Sequence, residues 1–275
     1  MITSAVSRES QPNPDFYEIK RRRGEDNLGW LKRLLRDYTP QGVVMLLVGG
    51  TDALSFRLRV AQAHVRHDMT PSAWSHVALV VDPSPDDVGR SRLVEISLDP
   101  HRGFGWAPDR NAVQERVPIS RYGDAERFPN IAVVDLPPDV PPADPDSPPA
   151  TAADAGAAAA AATAAQRKAV TAALQRFMMT RGTLDCCELV VQWLSFVWGA
   201  GPVTNPLFAG RGIPSAVLVE SLAATTGFDL TPSIDSRSSC PEAVWQAAKW
   251  WHGLHDKVAT RRLMGAYCIT HDLVK

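Results

Sequence analysis

Cysteine is scarce in this chain of 275 residues: there are 4, and two of them stand side by side at Cys186 and Cys187. So few thiols cannot staple a chain of this length into a disulfide framework, and no Cys-x-x-Cys spacing offers structural zinc. Synthesis in a reducing compartment follows. Net charge is nearly absent too, at −1, so the overall balance draws the protein to neither nucleic acid nor an anionic membrane. No apolar run approaches the ~20 residues that span a bilayer, and the polar opening Met1–Ser10 lacks a signal core. The expectation is a soluble protein made in the cytoplasm without a signal peptide, with no stable membrane insertion and no nucleic-acid partner. The Gly-x-Ser-x-Gly elbow, the P-loop and the His-Glu-x-x-His helix are all missing, which removes the chemistries those motifs carry. Two His-x-x-His pairs, His64/His67 and His252/His255, have no third ligand at useful spacing, so no metal and no cofactor is expected. There is no internal repeat.

What is present suffices for a full core: 45% of residues are hydrophobic and 21% charged, enough for one or two domains. Residues 1–40 read as an N-terminal extension. It is a flexible lead-in with a basic cluster at Lys20–Arg23, of the kind usually solvated, followed by a short helix from Asp26 to Tyr38. Residues 41–275 read as one domain. Val43–Val48 is a continuous apolar run ended by Gly49-Gly50, as in a buried strand, and Asp52–Arg66 reads as a helix. Trp74–Val81 and Arg92–Leu98 are strands joined through a Pro-Ser-Pro-Asp-Asp turn, hence an antiparallel pair. Gln114–Pro118 and Ile131–Leu136 bring the sheet to about five strands. An insertion at 137–165 interrupts the domain: seven prolines between Pro137 and Pro149, then nearly pure alanine. The proline part cannot join a sheet, and the alanine part has high helix propensity but little to pack with. A packed helix is predicted from Gln166, stopping near Gly182. Short helices follow at Pro214–Ala224 and Pro241–Leu254.

Thr183–Val190 is the stretch with chemical promise. Asp185, with Glu188 three residues on, reads as a helix N-cap and capping box. Cys186 and Cys187 then fall in the first turn, where free amide N–H groups and the helix dipole favour a thiolate, the form that attacks. Taken alone, two adjacent cysteines read better as small buried hydrophobes than as nucleophiles, and both project from the apolar side of the helix. His76 begins an apolar strand, where propensity gives no reason for an imidazole. Glu95 lies in the interior of a half-buried strand one connection away, so the two can meet as a base and its orienting group.

The order strand-His, strand-Glu, helix-Cys resembles the circularly permuted papain-like hydrolases of the NlpC type, in their YiiX-like branch. Ser75-His76-Val77-Ala78-Leu79-Val80 is similar to that branch's S-H-V-G-hydrophobic strand, Leu93-Val94-Glu95-Ile96 to its V-I-E-A strand, and Cys186-Cys187-Glu188-Leu189-Val190 to its C-S-E-L-V helix start. The resemblance covers roughly residues 41–225. It departs from the family in Ala78, in Val43–Asp52 where the family has a Gly-Asp opening, and in the Pro/Ala insertion. It implies an α+β papain-like fold, with an antiparallel sheet and the nucleophile helix packed on it. It further implies Cys186 as nucleophile, His76 as base and Glu95 as the group orienting His76, with Cys187 where the family has Ser. The backbone N–H of Cys186 would be one oxyanion donor. The activity implied is a cysteine amidase or peptidase acting on a peptide or acylated substrate. With no signal peptide, an effector exported by a dedicated secretion machine fits, acting on cell-wall peptide and accompanied by an immunity or chaperone protein. The rivals are a lipid acyltransferase or thioesterase of the lecithin:retinol acyltransferase kind, and a non-catalytic binding module with Cys186 merely buried.

Overall fold

The run Val43–Val48 is apolar at every position because both of its faces are covered. Met45 and Leu47 pack into one core, while Val44, Leu46 and Val48 pack into another on the opposite side. The computed structural model describes residues 16–38, 40, 42–81, 83, 87–99, 107–138, 152–180, 185–200, 204–227, 230, 239–255 and 264–271. Its strands are β1 (Phe16–Glu18), β2 (Val43–Gly49), β3 (His76–Val81), β4 (Arg92–Glu95), β5 (Gln114–Pro118), β6 (Asn130–Leu136) and β7 (Met264–Cys268). They form one sheet in the order β1-β7-β6-β2-β3-β4-β5. It is an open antiparallel sheet of six strands, with β1 added parallel to β7 at one edge. The fold is therefore mixed helix and sheet.

The helices are α1 (Asn27–Asp37), α2 (Ala53–Ala61), α3 (Ala152–Met179), α4 (Cys186–Trp198), α5 (Pro214–Ala224) and α6 (Pro241–His255). Helix α1 covers one face through Trp30, Leu31, Leu34 and Leu35, with Val88, Ile119 and Tyr122 of two 3₁₀ turns beside it. The indole N–H of Trp30 donates to Ile19 O at 2.7 Å, tying α1 to the residues after β1. The other face carries the larger core, with side chains of α2, α4, α5 and α6 buried over Met45, Leu47, Val77, Leu79, Val94 and Val134. Trp245 of α6 meets the Trp74 ring edge-on at 5.1 Å there. Helix α5 is the element laid against β3 and β4.

Several expectations need correction. The alanine stretch and the following amphipathic stretch are one continuous helix, α3. Alanine propensity carries the helix up to where Gln166, Ala173 and Leu174 find buried partners. Gln166 Nε2 donates to Leu136 O at 3.1 Å, so the helix is anchored at the end of β6. The sheet gains β7 from the region beyond residue 225, a short strand that follows the tryptophan-rich helix. The basic cluster is not simply a solvated arm: Arg21 donates to Asn27 Oδ1 at 2.9 Å and to Pro129 O at 2.7 Å, clamping the lead-in onto the sheet. The strand at Arg92 stops at Glu95, and the helix from Asp52 breaks after Ala61 into a 3₁₀ turn at Ala63–Val65. The proposed stop at Gly182 and most of the proline run lie outside the described residues. No helix among the described residues is long and apolar enough to cross a membrane.

Candidate active site

Strand alternation decides which side chains meet. Because Leu79 pairs with Val94, His76 and Glu95 project to the same face as Ala78 and Leu93, the face covered by α1. His76 Nε2 and Glu95 Oε2 are 2.9 Å apart. A carboxylate only accepts, so Nε2 carries the hydrogen and donates; in the neutral ring the lone pair is then on Nδ1. No described residue forms a hydrogen bond to Nδ1, and the side chain of His76 retains 13% exposure.

Glu95 is fully buried, and its charge is met on every side. The Tyr122 hydroxyl donates to Oε2 at 2.8 Å and Arg121 Nη1 donates to Oε1 at 3.0 Å. Burial by itself pushes the Glu95 carboxyl upward. The charge and hydrogen bond of His76, with Arg121 and Tyr122, outweigh it and hold the carboxyl below its usual range. Burial, reinforced by the Glu95 charge, pushes Tyr122 well above the ordinary phenol value, so it stays a donor. Its ring stacks on His76 at 5.5 Å between centroids, fixing the plane of the imidazole. Arg121 also reaches Gln114 Oε1 and Ser97 Oγ, each at 3.3 Å, which locks the guanidinium in place. Arg121 and Tyr122 carry no local motif, and the sequence offered no signal for either.

A cleft opens where β3 begins and β4 ends. It is lined from one layer by His76, Tyr122 and Phe128 and from the other by Leu54, Leu58, Ile96, Leu98, Ile213 and Ser215. Asp52 and Asp99 also line it, and both face Arg127, at 3.8 and 2.7 Å.

Cys186 stands elsewhere. Asp185 caps α4 as expected, accepting from the N–H groups of Cys187 at 2.9 Å and Glu188 at 3.2 Å. The capping-box return does not form, because Glu188 accepts from Gln192 at 2.7 Å instead. The Cys186 side chain is 0% exposed, packed in the core on the face away from α1, and it does not line the His76 cleft. Among the described residues no hydrogen bond joins its thiol to the His76 ring. Its backbone N–H is taken by Asn111 Oδ1 at 2.8 Å, so that group is not free to serve an oxyanion. The expected depression of the thiol does not occur. Burial, then the neighbouring Cys187 and Asp185, push Cys186 up to about 12. Desolvation has overridden the helix dipole, whose contribution is only about 0.3–1 kcal/mol. Cys187 is half-buried, with its Sγ 3.7 Å from Pro108 O.

Asn111 is the other residue that sequence reading missed. It adopts φ 52°, a left-handed conformation that asparagine tolerates, and it also donates to Phe177 O at 3.2 Å. His64 packs against the ring of Phe208 at 4.7 Å, and no group of three or more metal-ligating side chains is assembled among the described residues. Searches of family models, characterised proteins and solved structures found no match to this chain.

Proposed function

We propose that this protein is an acyl-bond hydrolase of the permuted papain-like kind, an amidase or peptidase in which His76 moves the protons and Glu95 orients it. One observation carries this reading: a histidine at the mouth of a cleft, bound through Nε2 to a fully buried carboxylate, with Nδ1 left open by the described residues. An orienting carboxylate is what a general base needs, since it fixes the tautomer and stabilises the imidazolium formed. Cys186 is the proposed nucleophile. In this structure that thiol packs in the core away from the cleft, so the step requires a rearrangement that brings it to His76 Nδ1. There it gives up its proton, and the thiolate bonds to the substrate carbonyl carbon, whose π electrons move to oxygen. Collapse breaks the bond to the leaving group, which takes the proton from His76. Water then attacks the thioester, giving one proton to His76 and expelling the thiolate. Cleavage of cell-wall peptide after dedicated export belongs to the same proposal, and a lipid acyltransferase or thioesterase is its enzymatic alternative.

The burial of Cys186 favours a second reading, in which the fold binds and the thiol is structural. Iodoacetamide at neutral pH separates the two. A nucleophile gives fast labelling of Cys186 that His76→Ala slows by about tenfold or more. Labelling of Cys187 alone, with Cys186 inert in both proteins, ends the cysteine-hydrolase reading.

A further inference from the structure

Four serines line the cleft that holds His76: Ser55, Ser75, Ser97 and Ser215. The first three are committed to the fold. Ser55 Oγ donates to Asp52 Oδ2 at 3.2 Å. Ser75 Oγ accepts from Gly50 N–H at 3.2 Å and donates to Val48 O at 3.3 Å. Ser97 Oγ accepts from Asp99 N–H at 3.1 Å and from Arg121 at 3.3 Å. Ser215 is only 1% exposed, and its hydroxyl is buried without a hydrogen-bond partner among the described residues. Native folds rarely leave such a group unpaired, and where they do a functional reason is the first to test.

Its position sharpens that reason. Ser215 is the second residue of α5, a helix of 11 residues whose N-cap is Ile213, a side chain with no acceptor. Pro214 brings no N–H, and the amides of Ala216 and Val217 turn back to Ile213 O at 2.9 and 3.1 Å. No described residue takes the N–H of Ser215. Ser215, which carries one O–H and one N–H at the positive end of a helix, therefore lines the cleft from the side opposite Tyr122 and Phe128. The cleft also carries Asp52 and Asp99, each set against Arg127. These carboxylates leave no surplus of positive charge for a full anion, so the complementary ligand is a neutral oxygen that gains charge during reaction.

We infer that Ser215, with its own amide at the start of α5, holds the carbonyl oxygen of the acyl group on which His76 acts. This rests on the hydrolase reading for the reaction, but not for binding. Both arms use the full chain. In the first, ¹⁵N-labelled protein is titrated with N-methylacetamide. A saturable shift of the Ser215 amide is expected in wild type and in His76→Ala, with affinity about tenfold weaker in Ser215→Ala, the size of one hydrogen bond. No saturable shift overturns the inference. In the second arm p-nitrophenyl acetate is the substrate. Ser215→Ala should lower kcat about 100-fold and raise KM by no more than the tenfold seen in the binding arm, as for loss of one such donor. Its Tm should stay level or rise, because an unpaired buried hydroxyl has gone. Unchanged kcat with a lowered Tm makes Ser215 structural, and covalent labelling of Ser215 by diisopropyl fluorophosphate makes it a nucleophile; either overturns the inference. Wild-type turnover in His76→Ala sinks the hydrolase reading instead, and leaves the binding arm to stand alone.

Discussion

The starts of α4 and α5 are built in opposite ways. At α4, Asp185 accepts two amide N–H groups and Asn111 accepts the N–H of Cys186, so no donor of the first turn is left for a ligand. At α5 the cap is apolar, the first residue is proline, and Ser215 is left with an unpaired hydroxyl beside the cleft. Sequence signals of a helix start were strong at α4 and weak at α5. A strong cap is a device for stability, because it consumes the groups that a substrate would need. An uncapped, buried start costs stability and keeps those groups available.

The largest test of this contrast lies between the two helices, at the group that serves the cleft. Glu95→Ala removes the carboxylate that His76, Tyr122 and Arg121 share. Breaking a buried charge network of this kind costs about 3–5 kcal/mol, read as a drop in denaturation midpoint. Because the folded Glu95 carboxyl sits below its ordinary value, its contribution is in full force above the unfolded value near ~4.3. It is lost as pH falls through the folded value, so the variant should show a shallower acid limb.

Asn111→Ala comes next. It strands the buried N–H of Cys186 and removes the donor to Phe177 O. A loss of about 1–3 kcal/mol is expected. If α4 is a structural start, no gain in Cys186 labelling should accompany it beyond that from global unfolding. Asp185→Ala should cost roughly 1 kcal/mol in the same measurement, the ordinary worth of a cap.

Legibility in the sequence followed the range of the interaction. Local patterns located β2, β5, α5 and α6 closely, because continuous apolar runs, turns and caps are encoded by neighbours. The His76–Glu95 pairing was also legible: alternation and a short connection bring two strand residues to one face. Asn111 and the Arg121–Tyr122 pair were not, since their roles depend on chain segments meeting across the end of the sheet. The state of the Cys186 thiol was misjudged for a related reason. Its place at a helix start is local information, whereas its complete burial comes from α4 packing into the large core. Ser215 illustrates the converse: the helix from Pro214 was predicted, but the unpaired hydroxyl is meaningful only in the cleft that also holds His76.

The smallest effect is also the most selective for the α4 start. Burial raises Cys186 to about 12 in the folded chain, while the unfolded thiol titrates near ~8.5. Above that value the unfolded state sheds a proton that the folded state keeps, so stability falls with rising pH. The loss begins near ~8.5 and continues until the folded thiol itself ionises. At pH 9 it amounts to about 0.8 kcal/mol for one such thiol. Cys240 is pushed up to about 12 by burial as well and must contribute a similar slope. The comparison is therefore between wild type and Cys186→Ala, each measured at pH 7 and pH 9 by chemical denaturation. The variant should be less stable at pH 7 for lost packing, yet lose about half as much on going to pH 9. Equal losses in the two proteins would mean that Cys186 ionises in the folded state as readily as in the unfolded chain. A thiol of that kind would be within reach of an activating partner, and the α4 start would then belong with the α5 start as an open one.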